Sequence, residues 1–148
     1  MKKRPVNPTA KTAVLSVSPL EEDHSSLRAM LNHSAWDLRE ARTVAAALVL
    51  VRKREIGVVL CDCDLKPGAW IDMLEKLQSL RNPPPLIVTS RLADERLWAE
   101  ALNLGAYDVL AKPFEAEELV RSLSLASSQR RWRQGMPVMA ANAARAAC

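Results

Sequence analysis

Glycine is scarce, with four residues in 148. None of the strand candidates identified below is followed by a Gly-rich loop of the kind that cradles phosphates, so a small doubly wound enzyme or nucleotide binder is the weakest reading of the chain. Cysteine is also sparse. Three residues, an odd number, argue against a disulfide framework. Cys61 and Cys63 stand as C-x-C at a strand end, too close together for an intrastrand bridge. A metal there would need partner ligands, and the two histidines, His24 and His33, lie in another segment; the thiols read as core and surface groups. No apolar run approaches the roughly 18 residues of a membrane span. The basic start, Met1 to Arg4, is followed by Pro5, Asn7, Pro8 and Lys11 without an apolar core, so it is no secretory signal. A cytoplasmic protein without a membrane partner is expected.

The formal net charge of +4 conceals a division. Lys2, Lys3, Arg4 and Lys11 sit in the first eleven residues, and Arg130, Arg131, Arg133 and Arg145 in the last twenty. Without those eight, 13 basic residues face all 17 acidic ones, which leaves the middle at −4. The basic character belongs to the ends, so nucleic acid is not an expected partner. The Arg130-Arg131-Trp132-Arg133 run has the residue types that suit phosphates and bases, but a short basic tail more often keeps a chain soluble. The expected organisation is a basic N-terminus over 1–11, one domain over 12–128 and a basic, Ala-rich tail over 129–148, where Gly135 and Pro137 interrupt the helical pattern.

From Thr12 onward, short apolar runs alternate with amphipathic ones. Strand candidates are Ala13–Val17, Leu38–Ala41, Val58–Cys61, Leu86–Thr89 and Val109–Ala111. The third and fourth are almost wholly apolar, as central parallel strands covered on both faces should be; the second alternates and reads as an edge. Between them, Ser18-Pro19-Leu20-Glu21 forms a capping box with proline at the first helical position. Leu20, Leu27 and Leu31 follow it. Thr43 caps a second helix running through Val51, with Arg52, Lys53 and Arg54 at its solvated end. Ile71, Leu74, Leu77 and Leu80 stripe a third helix. Leu97, Trp98, Ala101 and Leu102 stripe a fourth, which Gly105 terminates. Glu115, Glu117 and Glu118 suit the positive end of a fifth helix, with Leu119, Val120 and Leu123 on its buried side. Trp70 and Trp98 read as packing residues. Five β–α units in alternation imply an α/β domain, a doubly wound parallel sheet with helices on both faces.

In such sheets ligands bind beyond the carboxyl ends of the strands. Those ends carry Ser18, then Asp62 and Asp64, then Ser90, then Lys112. A lysine can hold a phosphoryl oxygen and a hydroxyl can donate to it. The ordered set of Val58-Val-Leu-Cys-Asp62, Ile87-Val-Thr-Ser90, Gly105-Ala106 and Lys112-Pro113-Phe114 resembles the receiver domains of two-component response regulators over residues 12–126. The resemblance implies a flavodoxin-like five-stranded sheet of order 2-1-3-4-5 and phosphorylation of Asp62 by a histidine kinase or phosphotransfer protein. Ser90 would be the switch hydroxyl, Lys112 the phosphate-pairing residue and Lys112–Pro113 a cis peptide. Mg²⁺ would assist, held weakly through Asp62 and Asp64.

The chain departs from that pattern in several places. Receivers usually carry two acids directly after the first strand; an ungapped match puts Ser18 and Pro19 there. Glu21, Glu22 and Asp23 lie a turn later, where capping accounts for Glu21 without a metal. A shifted loop bringing one of them back is the less favoured alternative. Arg91 replaces the usual small residue after the switch hydroxyl; folded over the crevice, it would add a positive charge that competes with Mg²⁺. Val109 replaces the usual aromatic three before the lysine. The primary expectation is a stand-alone, non-enzymatic signalling domain that acts through a downstream protein and pairs as a homodimer through the fourth helix, fifth strand and fifth helix. The alternative is a pseudo-receiver that binds proteins independently of phosphorylation, with Arg91 neutralising Asp62 or Asp64.

Overall fold

The computed structural model describes residues 11–63, 65–66 and 69–135, with the backbone alone at 134 and 135. Asp64, Pro67, Pro137 and the Ala-rich end lie outside the described residues.

Five strands, β1 (Thr12–Val17), β2 (Trp36–Ala41), β3 (Val58–Asp62), β4 (Leu86–Ser90) and β5 (Asp108–Ala111), alternate with five helices. The helices are α1 (Glu21–Leu31), α2 (Val44–Lys53), α3 (Ala69–Gln78), α4 (Glu95–Leu104) and α5 (Ala116–Gly135). All strand pairs are parallel, in the order β2-β1-β3-β4-β5. Every residue of β3 and β4 is buried, which is why their sequences are nearly unbroken apolar runs. Alternate residues of each strand point to opposite faces and meet two separate cores. Leu15, Val17, Val59, Cys61 and Val88 pack on the face covered by α2 and α3, while Val14, Val58, Leu60 and Ile87 meet Leu27, Leu119 and Leu123 of α1 and α5.

Local chemistry sets the helix ends. Thr43 Oγ1 accepts from Ala46 N, as a capping residue should. Asp94, unmarked in the sequence reading, does the same for Leu97 N at the start of α4. Gly105 closes α4 in the left-handed region at φ 111°. A Cβ there would also meet Gln78 Nε2, but that is the movable end of a side chain, so backbone strain is the main cost. Gly105→Ala is expected to destabilise the fold by about 1–2 kcal/mol, read as a lower urea midpoint.

Four expectations need correction. Ser18-Pro19-Leu20-Glu21 is not a capping box: α1 begins at Glu21, its N-cap is Leu20 and no side chain caps it. Ser18 still belongs to the sheet edge, its N–H bonded to Ala41 O, so it lies too far before the helix to cap it. In α3 the buried stripe is Trp70, Met73, Leu74 and Leu77, with Ile71 and Leu80 only half-buried; the helix is rotated to place the large indole inside. Trp98 is 51% exposed, because α4 faces the core with Ala101 and Leu97 and leaves the indole on its outer side. Val120 is likewise exposed, and the inner face of α5 is Leu119, Ser122, Leu123, Ala126 and Ser127. α5 itself passes residue 128 without a break and continues to Gly135, with Arg130 donating to Asn82 O at 3.2 Å.

An ion-pair network holds the entry to α1. Arg28 pairs with Glu40 of β2 and with Glu21, and Arg42 pairs with Glu21 and donates to Pro19 O. The Arg28 hydrogen bond holds the Glu40 and Glu21 carboxyls below their ordinary value of 4.5. Depressed carboxyl values stabilise the fold above 4.5 and cease to do so as pH falls through the lowered values. The melting temperature is therefore expected to fall once pH drops below about 4.5, with a smaller fall in Glu21→Gln/Glu40→Gln.

Candidate functional site

Among the described residues, the carboxyl edge of the sheet brings together the charged and hydroxylic groups that end the strands. Asp62 ends β3 opposite Thr89, and Ser90 ends β4 opposite Ala111. Lys112 follows β5, its N–H bonded to Ser90 O at 2.9 Å. The Lys112–Pro113 peptide is cis.

The Lys112 ammonium lies 2.8 Å from Asp62 Oδ1 and 2.7 Å from Asp23 Oδ2. Its side chain is 5% exposed, and those of Asp23 and Asp62 are 8% and 0% exposed. Burial acts to lower the lysine's pKa, but the hydrogen bonds to Asp23 and Asp62 and their charges outweigh it, and the net direction is upward. The ammonium is therefore fully ionised at neutral pH. Among the described residues the two buried carboxylates share this one ammonium.

Asp23 is the residue that sequence reasoning misplaced. Of the three acids in the first turn of α1, Glu21 joins the surface network, Glu22 stays exposed and Asp23 turns inward. Ser18 holds it there: its Oγ donates to Asp23 Oδ2 at 2.6 Å and accepts from Leu20 N at 3.1 Å. Buried His24 pins the same loop through Nε2, which donates to Ser18 O at 2.9 Å. The shifted-loop alternative is thus the arrangement found. Its signal was legible: Asp23, Leu27 and Leu31 recur at i, i+4, i+8 and so share one helix face, which puts a carboxylate on the buried stripe.

Ser90 is buried at the same edge, its Oγ accepting from Leu92 N at 3.0 Å. Arg91 does not reach Asp62; its guanidinium pairs with Glu22 at 2.7 Å across the mouth of the cleft. Val109 is buried in the core. Cys61, next to the acid, is a core residue whose thiol burial, then the charges of Asp62 and Cys63, push upward; it is no nucleophile at neutral pH.

Among the described residues no group of three His, Cys, Asp or Glu side chains is placed to hold a metal ion. Asp23 and Asp62 converge on one cation, however, and two carboxylates with water and a phosphoryl oxygen make a donor set that Mg²⁺ accepts. No helix of the described residues is long and apolar enough to cross a membrane.

Comparisons with known proteins bear on the whole domain. Residues 21–124 match the family described as response regulator receiver domain. The sensory transduction protein LytR of Staphylococcus epidermidis is 23% identical over 77% of this chain and 44% of its own length. The C4-dicarboxylate transport transcriptional regulatory protein DctD of Rhizobium meliloti is 27% identical over 81% of this chain and 27% of its own length. The chain thus spans less than half the length of these relatives. The receiver domain of an HD domain-containing protein from Pseudomonas fluorescens superposes with a TM-score of 0.73 at 25% identity, covering 82% of this chain and 98% of that one. The chemotaxis response regulator CheY4 of Vibrio cholerae superposes at 0.70 and 18% identity, over 79% and 99%. With its sheet order, its cleft residues and the family match in agreement, the chain belongs to the response regulator receiver domains of two-component signalling.

Proposed function

We propose that this domain accepts a phosphoryl group on Asp62 from a histidine kinase or phosphotransfer protein and signals through protein contacts. The observation that carries the reading is a fully buried carboxylate at the sheet's ligand-binding edge, 2.8 Å from an ionised lysine. An Asp62 oxygen attacks phosphorus, the P–O bond forms as the P–N bond to the donor imidazole breaks, and the imidazole takes a proton from solvent. Lys112 stays on the anionic oxygens throughout. Ser90 would exchange its bond to Leu92 N for one to the phosphoryl group, which couples the site to the start of α4. Mg²⁺, held weakly by Asp23 and Asp62 with Asp64 the third candidate, would neutralise charge on the phosphoryl oxygens. Exposed Trp98 on α4 and Leu125 on α5 support the fourth helix, fifth strand and fifth helix as the face that meets a second copy or a downstream protein.

One observation favours the phosphorylation-independent alternative. Lys112 contacts both carboxylates, so a cation of the protein's own offsets part of their charge. Toward Asp62 that role would fall to Lys112; Asp64 lies outside the described residues. Incubation with a small phosphodonor and Mg²⁺ separates the two readings: the signalling domain gains one phosphoryl group, and the constitutive binding module gains none.

A further inference from the structure

We infer that Arg91 is a second phosphoryl-binding cation, parked on Glu22 until Asp62 is modified and then transferred to the phosphoryl group. The inference rests on the reading of Asp62 as the acceptor. It starts from charge. Two carboxylates already share one ammonium in the cluster, and an acyl phosphate adds further negative charge in a buried place. Mg²⁺ is held only weakly in this reading, so a further cation beside the phosphoryl group would stabilise the modified state.

Arg91 is positioned to supply one. It lines an open cavity of about 450 Å³ together with Glu22, Asp23, Lys112 and Phe114. It also borders a second cavity, shared with Cys63, Ser90 and Leu92 on the α4 side. Arg91 is therefore common to the cavity over Lys112 and the cavity beside α4. Its tie to Glu22 joins segments 69 residues apart, and each end of the tie adjoins a site residue: Ser90 precedes Arg91, and Asp23 follows Glu22.

The exchange is favourable on simple grounds. Arg91 and Glu22 have side chains 61% and 68% exposed, and ion pairs so exposed contribute little. Glu22 returns to water when released. A guanidinium on a phosphoryl group makes two parallel charge-assisted hydrogen bonds, a stronger interaction. The movement would draw the turn carrying Ser90 and Leu92 toward the cleft. That turn leads into α4, which is anchored by buried Ala101 and partly buried Leu97, a light attachment for a helix that would follow the turn.

The test uses the ¹⁵N-labelled full chain with beryllofluoride and Mg²⁺ as the phosphoryl mimic. The Arg91 Nε–H signal, assigned by its absence in Arg91→Ala, is expected to shift on addition. Arg91→Ala should weaken beryllofluoride binding about tenfold, the loss of one charge-assisted contact pair. Glu22→Gln should leave it unchanged or tighten it, since the competing partner is gone. A merely structural tie predicts weakening in both variants, and that result would overturn the inference. So would an unchanged midpoint in Arg91→Ala while the amides around Asp62 still respond, an outcome that leaves the acceptor reading standing. If those amides ignore beryllofluoride in the unmodified protein, the acceptor reading and the inference fail together.

Discussion

Replacing Lys112 with alanine is expected to destabilise the domain by about 3–5 kcal/mol, the usual cost of removing one partner of a buried ion pair. Here the cost falls at the upper end, because the ammonium serves Asp23 and Asp62 together and both carboxylates stay buried without it. A single domain of this kind has about 5–15 kcal/mol in all, so the urea midpoint should fall steeply. Two further measurements distinguish electrostatics from lost packing. Adding Mg²⁺ should restore part of the stability, since a divalent cation can take the place between the carboxylates. Adding Asp23→Asn to Lys112→Ala should also restore part of it, by removing one of two like charges. A loss below about 1 kcal/mol would mean that water enters the cleft and screens the pair.

Asp62→Asn is expected to remove phosphoryl acceptance altogether while leaving the fold intact. The amide keeps the shape of the side chain but has no anionic oxygen to attack phosphorus. It also leaves Lys112 with a single carboxylate, Asp23 at 2.7 Å, a one-to-one pair in place of two acids on one base. Stability should therefore hold or rise, which separates loss of chemistry from loss of structure. The same logic assigns Asp23→Asn an intermediate effect: the acceptor remains, with one carboxylate fewer for Mg²⁺.

Much of this was legible in the amino-acid order because burial leaves a periodic trace. β3 and β4 are covered on both faces and appear as unbroken apolar runs; Thr43 and Gly105 mark helix ends by chemistry that few other residues supply. Asp62, Ser90 and Lys112 were found because the strand ends must lie on one edge once the sheet is parallel. The errors arose where a local explanation sufficed. A capping box explains Glu21 from the sequence alone, and that local account hides Asp23, whose spacing to Leu27 and Leu31 places it inward. Of the α3 stripe expected at Ile71, Leu74, Leu77 and Leu80, Leu74 and Leu77 are buried, while Trp70 and Met73 take the other inward places. Arg91 was drawn to the nearest acids in the expected crevice, but its partner, Glu22, lies on a different element 69 residues away. Long-range pairs between exposed charges leave no periodic trace.

The most direct measurement is mass spectrometry of the intact chain, followed by fragmentation to locate the modified residue, after exposure to a small phosphodonor with Mg²⁺. The unmodified protein should gain one phosphoryl group, carried on Asp62; Asp62→Asn should gain none and Asp23→Asn should gain it more slowly. Labelling that persists in Asp62→Asn, or an unmodified protein that stays unlabelled in the presence of donor and Mg²⁺, would contradict the account.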